Sequence, residues 1–530
     1  MKRMPVRFSA CFLMFCVGLL VWETAYAQAT PEWLARLFPH VGQPGRLANR
    51  LARREAKEIN INGQSGGMVT LEFLYPELDG RVATGRARVF VPPVVREDPG
   101  RRVPLVHVAG YEIGEQGAIG LMAQGYAVST PHAHPLNPLG RGVKLDLAIL
   151  HAVRQLSFVD PLRVGIQGGS AGGWMALMLG ADAFPLTYVM ADVPPIHWGY
   201  NAAYVHDNRP VAAPLPERTE PRMPVLWAVS GIAEQSRSTY GMPFDSPTYL
   251  ALSPLAHLET ITAPTLAVFS TADVLIPIDQ VSPSLVRPLD PGKMPPGFRS
   301  TLSQRFPGIG GKRTLLDVLP RDRYALFVVP PGTNPTRVDP RAPLRGPGMP
   351  LSLPFSTDRS WSIVVLDEGP MEADVGHLKY HWAVDHEPFR RWAEARGVTA
   401  EQLTATKLQR LMKRLRGEPW RPMQIRPGGT GEPVPAHLLD FPEAERADVL
   451  LGLLAFASDD GRAVHLARLY ARLPRRLQVL GRNLGDGTGT GVRQALQRHM
   501  DSVQARETEL QRGSTGNEKS RMTSCAGSAR

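Results

Sequence analysis

The stretch Arg163-Val-Gly-Ile-Gln-Gly168-Gly169-Ser170-Ala171-Gly172-Gly173 decides how this chain is read. Arg163 to Gln167 reads as a strand, and Gly172 to Gly180 as a helix. Between them sits a G-x-S-x-G pattern, which places a serine on a sharp strand-to-helix turn. In so tight a turn, side chains two residues before and two after the serine would collide. Gly168 and Gly172 remove those side chains. Ser170 is then presented at the carboxyl end of a strand and the amino end of a helix. A chance Gly/Ser turn would not need strand and helix flanking it in this order.

A serine hydroxyl is a poor nucleophile at neutral pH. It needs a histidine to take its proton and an acid to orient that histidine. Moving outward, both occur in the order serine, acid, histidine, each just after a strand-like run. Asp273 follows Pro264 to Ser270 and leads into Val-Leu-Ile-Pro277-Ile-Asp-Gln280. Asp192 also follows a strand-like run and is the rival acid. His377 follows Trp361 to Leu366 as Gly376-His377. Among the other histidines, His381 and His386 lie further along, toward a helical stretch. His107 sits inside a strand-like run, and His132 and His134 follow another. An acyl-transfer site also needs donors for a developing oxyanion. The backbone N–H of Ala171 is one candidate. Tyr111, in the loop after Val103 to Val108, is the other, through its N–H or its hydroxyl, unless it only packs.

Further out, the runs Val103 to Val108, Tyr126 to Thr130, Leu186 to Ala191, Pro264 to Ser270 and Trp361 to Leu366 alternate with helical spacing at Gly117 to Gln124 and Leu145 to Leu156. Such alternation implies crossovers and a doubly wound, mostly parallel sheet. Before it, Val69, Leu71 and Phe73 alternate with polar residues, Asp79-Gly80 marks a turn, and Arg86 to Val91 reads as the return strand of an antiparallel hairpin.

These runs divide the chain into a leader over 1–27, a lead-in over 28–64, a core domain over 65–390, a basic helical extension over 391–505 and a disordered tail over 506–530. Inside the core domain, 194–264 reads as a cover segment and 281–360 as a Pro- and Gly-rich insertion. Trp198, Tyr200 and Tyr204 in the cover either line an apolar substrate pocket or pack the cover's own core.

The run Asp160 to Gly173 resembles the nucleophile segment of the α/β-hydrolase superfamily, in particular its prolyl-oligopeptidase-like and esterase branches. Ser253-Pro254, the strand through Thr265 to Phe269, and Asp273 with Ile276-Pro277 and Gln280 resemble that branch's acid segment. Gly376-His377 resembles its histidine loop. The resemblance spans roughly residues 65–390. It implies an α/β-hydrolase fold and a serine hydrolase working through Ser170, Asp273 and His377. A tyrosine hydroxyl serves as oxyanion donor in that branch, which supports Tyr111. Two departures stand out. Too few residues lie between Ala27 and Val69 for the β-propeller of true oligopeptidases. The interval from Asp273 to His377 is also longer than usual. Carboxylic ester hydrolysis is the expected activity, amide or short-peptide hydrolysis the second, and a non-catalytic hydrolase-like binding protein the rival from another class.

Bulk properties bound the rest. Apolar residues make up 43% and charged residues 21% of 530, an ordinary globular balance. Lys2, Arg3 and Arg7 precede an apolar run from Phe8 to Trp22, and Ala25-Tyr26-Ala27 has the small-x-small cleavage pattern. Export to the periplasm or medium, with cleavage after Ala27, is therefore expected, and no membrane span should remain. Cys11 and Cys16 would leave with the leader, so Cys525 could form no internal disulfide. The net charge of +11 sits largely after residue 389 and in the leader. No zinc-finger spacing or RNA-binding aromatic motif accompanies it, so nucleic acid is not an expected partner. Gly308-Ile-Gly-Gly-Lys312 fails as a phosphate loop because Arg313 stands where Ser or Thr is required. No cofactor or metal is implied, the partner is a small-molecule ester or amide, and the oligomeric state stays open.

Overall fold

The computed structural model describes residues 31–38, 52–76, 82–132, 141–154, 156–182, 185–302, 314–330, 351–368, 371, 373, 377, 384–399 and 402–403. The leader, His134, Gly376, His381, the Asp79-Gly80 turn, most of the 391–505 extension and the 506–530 tail lie outside them.

Twelve strands are described: β1 Ala52–Ile61, β2 Gln64–Pro76, β3 Val82–Val91, β4 Val103–Val108, β5 Ala127–Pro131, β6 Val159–Gly169, β7 Tyr188–Asp192, β8 Thr265–Ser270, β9 Tyr324–Val329, β10 Leu351–Ser352, β11 Trp361–Leu366 and β12 Val384–Asp385. The described residues form two compact units, one within the ranges Met1–Tyr75, Val82–Leu136 and Leu145–Gly165, the other within Pro76–Arg81, Asn137–Lys144 and Ile166–Arg530. In the first, the strands hydrogen-bond in the order β1-β2-β3-β5-β4-β6. Strand β6 ends in the second unit, where the order is β6-β7-β8-β11-β9. The pairs β1–β2 and β3–β5 are antiparallel, whereas β4–β5, β7–β8, β8–β11 and β11–β9 are parallel.

Burial follows from composition. Every residue of β4, β8 and β11 is buried, as expected of largely apolar strands covered on both faces. The helix Ala171–Gly180 carries no charged residue on any face and is buried throughout. In the first unit, Ile59, Ile61, Phe90, Val106, Met122 and Val128 share one core cluster. In the second, Tyr188, Met190, Leu266, Val364 and Phe389 share another.

Several sequence expectations shift. Strands begin at Ala52, inside the presumed lead-in, because Asn62-Gly63 turns β1 back onto β2. Both turn residues have positive φ, 51° and 86°, as a two-residue hairpin of this hand demands. The insertion over 281–360 contributes β9, which pairs in parallel with β11 and closes one edge of the sheet. Its exposed Leu326 and Val328 alternate with half-buried neighbours, the pattern of an edge strand. The boundary drawn at 390 falls inside a helix, Glu387–Arg396, whose Phe389 and Ala393 belong to the second unit's core. Among the described residues, no helix is long and apolar enough to cross a membrane.

Candidate active site

Strand β6 ends at Gly169, and the next residue starts the turn. Ser170 has φ 54° and ψ −125°. Positive φ is uncommon for a residue with a side chain and costs on the order of 1–3 kcal/mol. The turn is held from both sides: Ser170 N–H donates to Asp192 O at 2.8 Å, and Ser170 O accepts from Trp174 N at 3.0 Å. A Cβ on Gly168 would lie 2.3 Å from Gly172 O, and one on Gly173 would lie 2.8 Å from Asp192 O. The glycines therefore allow strand and helix to approach, as the motif predicts. The serine side chain does not cap the helix. Ala171 is the helix's first residue, so its N–H has no acceptor in a preceding turn.

Asp273 lies just past β8 and is 1% exposed. Its Oδ1 accepts from the backbone N–H of Leu275 at 2.7 Å and of Ile276 at 3.0 Å. His377 is also buried, and its Nδ1 lies 2.8 Å from Asp273 Oδ2 and 3.0 Å from Oδ1. The acid and the histidine expected from the sequence are thus in contact. Their loops are laced together at the base. Thr271 N donates to Leu366 O at 3.0 Å, Glu368 N to Thr271 Oγ1 at 3.1 Å, and Ser270 Oγ to Glu368 Oε2 at 2.7 Å.

The rival acid also has a histidine. His386 Nε2 lies 2.8 Å from Asp192 Oδ1. The two pairs differ in which nitrogen is used. In a serine triad the acid holds Nδ1 and leaves Nε2 for the nucleophile. His377 has that arrangement, and His386 has the reverse. Two other histidines weighed from the sequence have other partners. His107 is buried with Nδ1 2.9 Å from Ser129 Oγ, and His132 Nδ1 lies 2.9 Å from Glu112 Oε1.

Tyr111 lies in the first unit, after β4, with its backbone C=O accepting from Thr130 Oγ1 at 2.6 Å. The neighbouring Gly110 N–H donates to Asp146 Oδ2 at 2.8 Å.

Trp198, Tyr200 and Tyr204 lie on the helix Trp198–Ala212 and are all buried. Trp198 packs on Trp174 with ring centroids 5.1 Å apart, and Tyr204 packs edge-on against Phe298. The Tyr200 hydroxyl donates to Asp279 and accepts from Leu302 N at 2.5 Å. These contacts tie the helix to Trp174, Phe298, Asp279 and Leu302, all outside the 194–264 segment. Burial, followed by the negative charges of Asp273 and Asp279, pushes the Tyr204 hydroxyl well above its usual pKa.

Two positions quoted only for their resemblance acquire physical roles. Gln280 Oε1 accepts from the N–H of Ile196 at 3.1 Å and of His197 at 2.9 Å, tying the acid segment to the start of the cover helix. Ser253 Oγ accepts from Trp198 N at 2.8 Å. His197 is held by burial at a pKa of about 4, so it is neutral at physiological pH. Asp279 and the Asp192–His386 pair were not assigned these contacts from the sequence. Their partners are distant in the chain, and only the fold reveals them.

No family model matches the sequence, and no curated protein matches it. Solved structures do match. An acylaminoacyl peptidase of Pyrococcus horikoshii is similar at 16% identity, over 40% of this chain and 33% of that one, with a TM-score of 0.29. A puromycin-hydrolyzing peptidase of Mycobacterium tuberculosis is similar at 17% identity, over 40% of this chain and 38% of that one, with a TM-score of 0.28. Acetyl xylan esterase 1 of Thermoanaerobacterium is similar at 16% identity, over 48% of this chain and 83% of that one, with a TM-score of 0.28. The chain thus spans well under half the length of either peptidase. With its strand order, its glycine-flanked Ser170 turn and an Asp273–His377 pair following in that chain order, the protein has the α/β-hydrolase fold.

Proposed function

We propose that the protein is a serine hydrolase that forms an acyl-enzyme on Ser170. The observation that carries this reading is the contact from His377 Nδ1 to the buried Asp273 carboxylate, which leaves Nε2 as the base. His377 takes the Ser170 proton as the hydroxyl attacks an acyl carbonyl, then returns it to the leaving group. Asp273 stabilises the imidazolium that forms between these steps. Its own charge is steadied by the N–H groups of Leu275 and Ile276. Water activated by His377 then releases the acyl group. We assign the oxyanion to the Ala171 N–H, at the amino end of a helix.

Carboxylic esters are the proposed substrates. An alkoxide leaves a tetrahedral intermediate more readily than an amine, which must be protonated as it departs, so esters make the smaller demand on His377. A panel of short and medium acyl p-nitrophenyl esters beside aminoacyl and dipeptidyl p-nitroanilides tests this, with Ser170→Ala as the blank. Turnover of the esters well above the anilides is expected. Cleavage of the anilides with the esters untouched would assign the same three residues to amide hydrolysis instead.

A further inference from the structure

We propose that Asp192 and His386 form a positioning pair that docks the histidine-bearing segment against β7, the strand whose last residue holds the Ser170 turn, and that this pair sets kcat through His377. The inference rests on the hydrolase reading above and extends it to two residues outside the triad.

Asp192 is the last residue of β7 and holds two things at once. Its backbone C=O accepts the Ser170 N–H at 2.8 Å, which fixes the serine turn. Its carboxylate, 15% exposed, accepts from His386 Nε2 at 2.8 Å. His386 follows His377 in the chain and stands at the start of the helix Glu387–Arg396. One turn later on that helix the buried Arg390 reaches Gln167, the residue before Gly168, with Nη2 3.4 Å from Oε1. Between them, Phe389 packs edge-on against Tyr188 of β7. Three contacts therefore join the end of the histidine segment to the sheet beside Ser170, two to β7 and one to β6.

The other end of the segment is joined to the acid. Glu368, two residues past β11, is bonded to Ser270 and Thr271, which immediately precede Ala272 and Asp273. His377 thus lies between Glu368, bonded to the acid's loop, and His386, bonded to the residue that holds the Ser170 turn. Proton transfer between Ser170 and His377 depends on their separation to a fraction of an ångström, and a misplacement of about 1 Å can cost on the order of 10²-fold in rate. A loss of the Asp192–His386 bond would act on that separation. The pair is not a second catalytic dyad, because His386 Nε2 is taken up by Asp192.

Two substitutions in the full chain separate positioning from general support. His386→Gln keeps an N–H donor at a reach comparable to Nε2. His386→Asn falls short of Asp192, yet asparagine is well tolerated at a helix start, where His386 itself makes no side-chain cap. With kcat normalised to active sites titrated by a fluorophosphonate, His386→Asn should lower kcat about tenfold with KM within about twofold. His386→Gln should recover most of the loss. Adding Asp192→Ala to His386→Asn should make it little worse, since both remove one bond. Equal kcat in His386→Asn and the parent would overturn the proposal, as would equal losses in the Asn and Gln variants. A merely structural role would lower the yield of titratable sites and leave kcat per site unchanged. The hydrolase reading fails separately: turnover surviving in Ser170→Ala would remove it, whatever the His386 variants do.

Discussion

The Asp273 carboxylate accepts from two backbone N–H groups and from His377, all inside the fold. Such an acid is held in a single orientation and, through it, so is the imidazole. Removing either member should disable the site as a unit. His377→Ala and Asp273→Ala should each lower kcat by about 10³-fold or more, and the double variant should be little worse. Steady-state kinetics on the best ester decides it. Full activity in Asp273→Ala, with loss in Asp192→Ala, would move the acid to Asp192. At this scale Ser170, Asp273 and His377 were legible because each follows an apolar run whose end can be read. The pairing of Asp192 with His386 was not, since nothing local links residues so far apart in the chain. The aromatic trio was left open between two roles for a related reason. Composition shows that Trp198, Tyr200 and Tyr204 are large and apolar, but whether they face a pocket or a core depends on Trp174, Phe298 and Asp279, which come from other segments.

Among elements, the serine turn is where local sequence and tertiary packing agree most closely. A Cβ at Gly168 would meet the backbone of Gly172 at 2.3 Å, and backbone cannot swing aside as a side chain can. Gly168→Ala should therefore push strand and helix apart and slow labelling of Ser170 by roughly 10²-fold or more, because the nucleophile moves relative to its base. Gly231, in the helix Pro224–Tyr240, serves as the control. A Cβ there meets nothing within 4 Å, and Gly231→Ala should be neutral or add up to about 1 kcal/mol of stability. Labelling of Gly168→Ala at the parent rate would show that the turn does not need the glycine. Other elements were less readable. The Asn62-Gly63 hairpin was hidden by the charged residues of β1, whose Arg53, Arg54 and Glu55 disguise a strand. Strand β9 was hidden in a different way. Tyr324 to Val329 is as apolar as β8 or β11, but it stands inside a Pro- and Gly-rich stretch that reads as one insertion.

For the molecule as a whole, alternation of apolar runs with helical spacing was enough to infer a mostly parallel sheet. Each parallel neighbour needs a crossover, and the crossovers are long enough to be read. Ser170, Ala171, Asp273, His377, Asp192 and His386 all lie in the second unit, so the proposed acyl transfer and its positioning pair are properties of that unit. The account stands or falls on whether Ser170 is an activated nucleophile. The direct measurement is exposure of the folded full chain to an active-site fluorophosphonate, followed by mass analysis of the adduct and its peptide. The account predicts one adduct per chain, on Ser170, absent in Ser170→Ala and formed far more slowly in His377→Ala. An adduct that persists in Ser170→Ala, or a folded parent that takes up none, would contradict it.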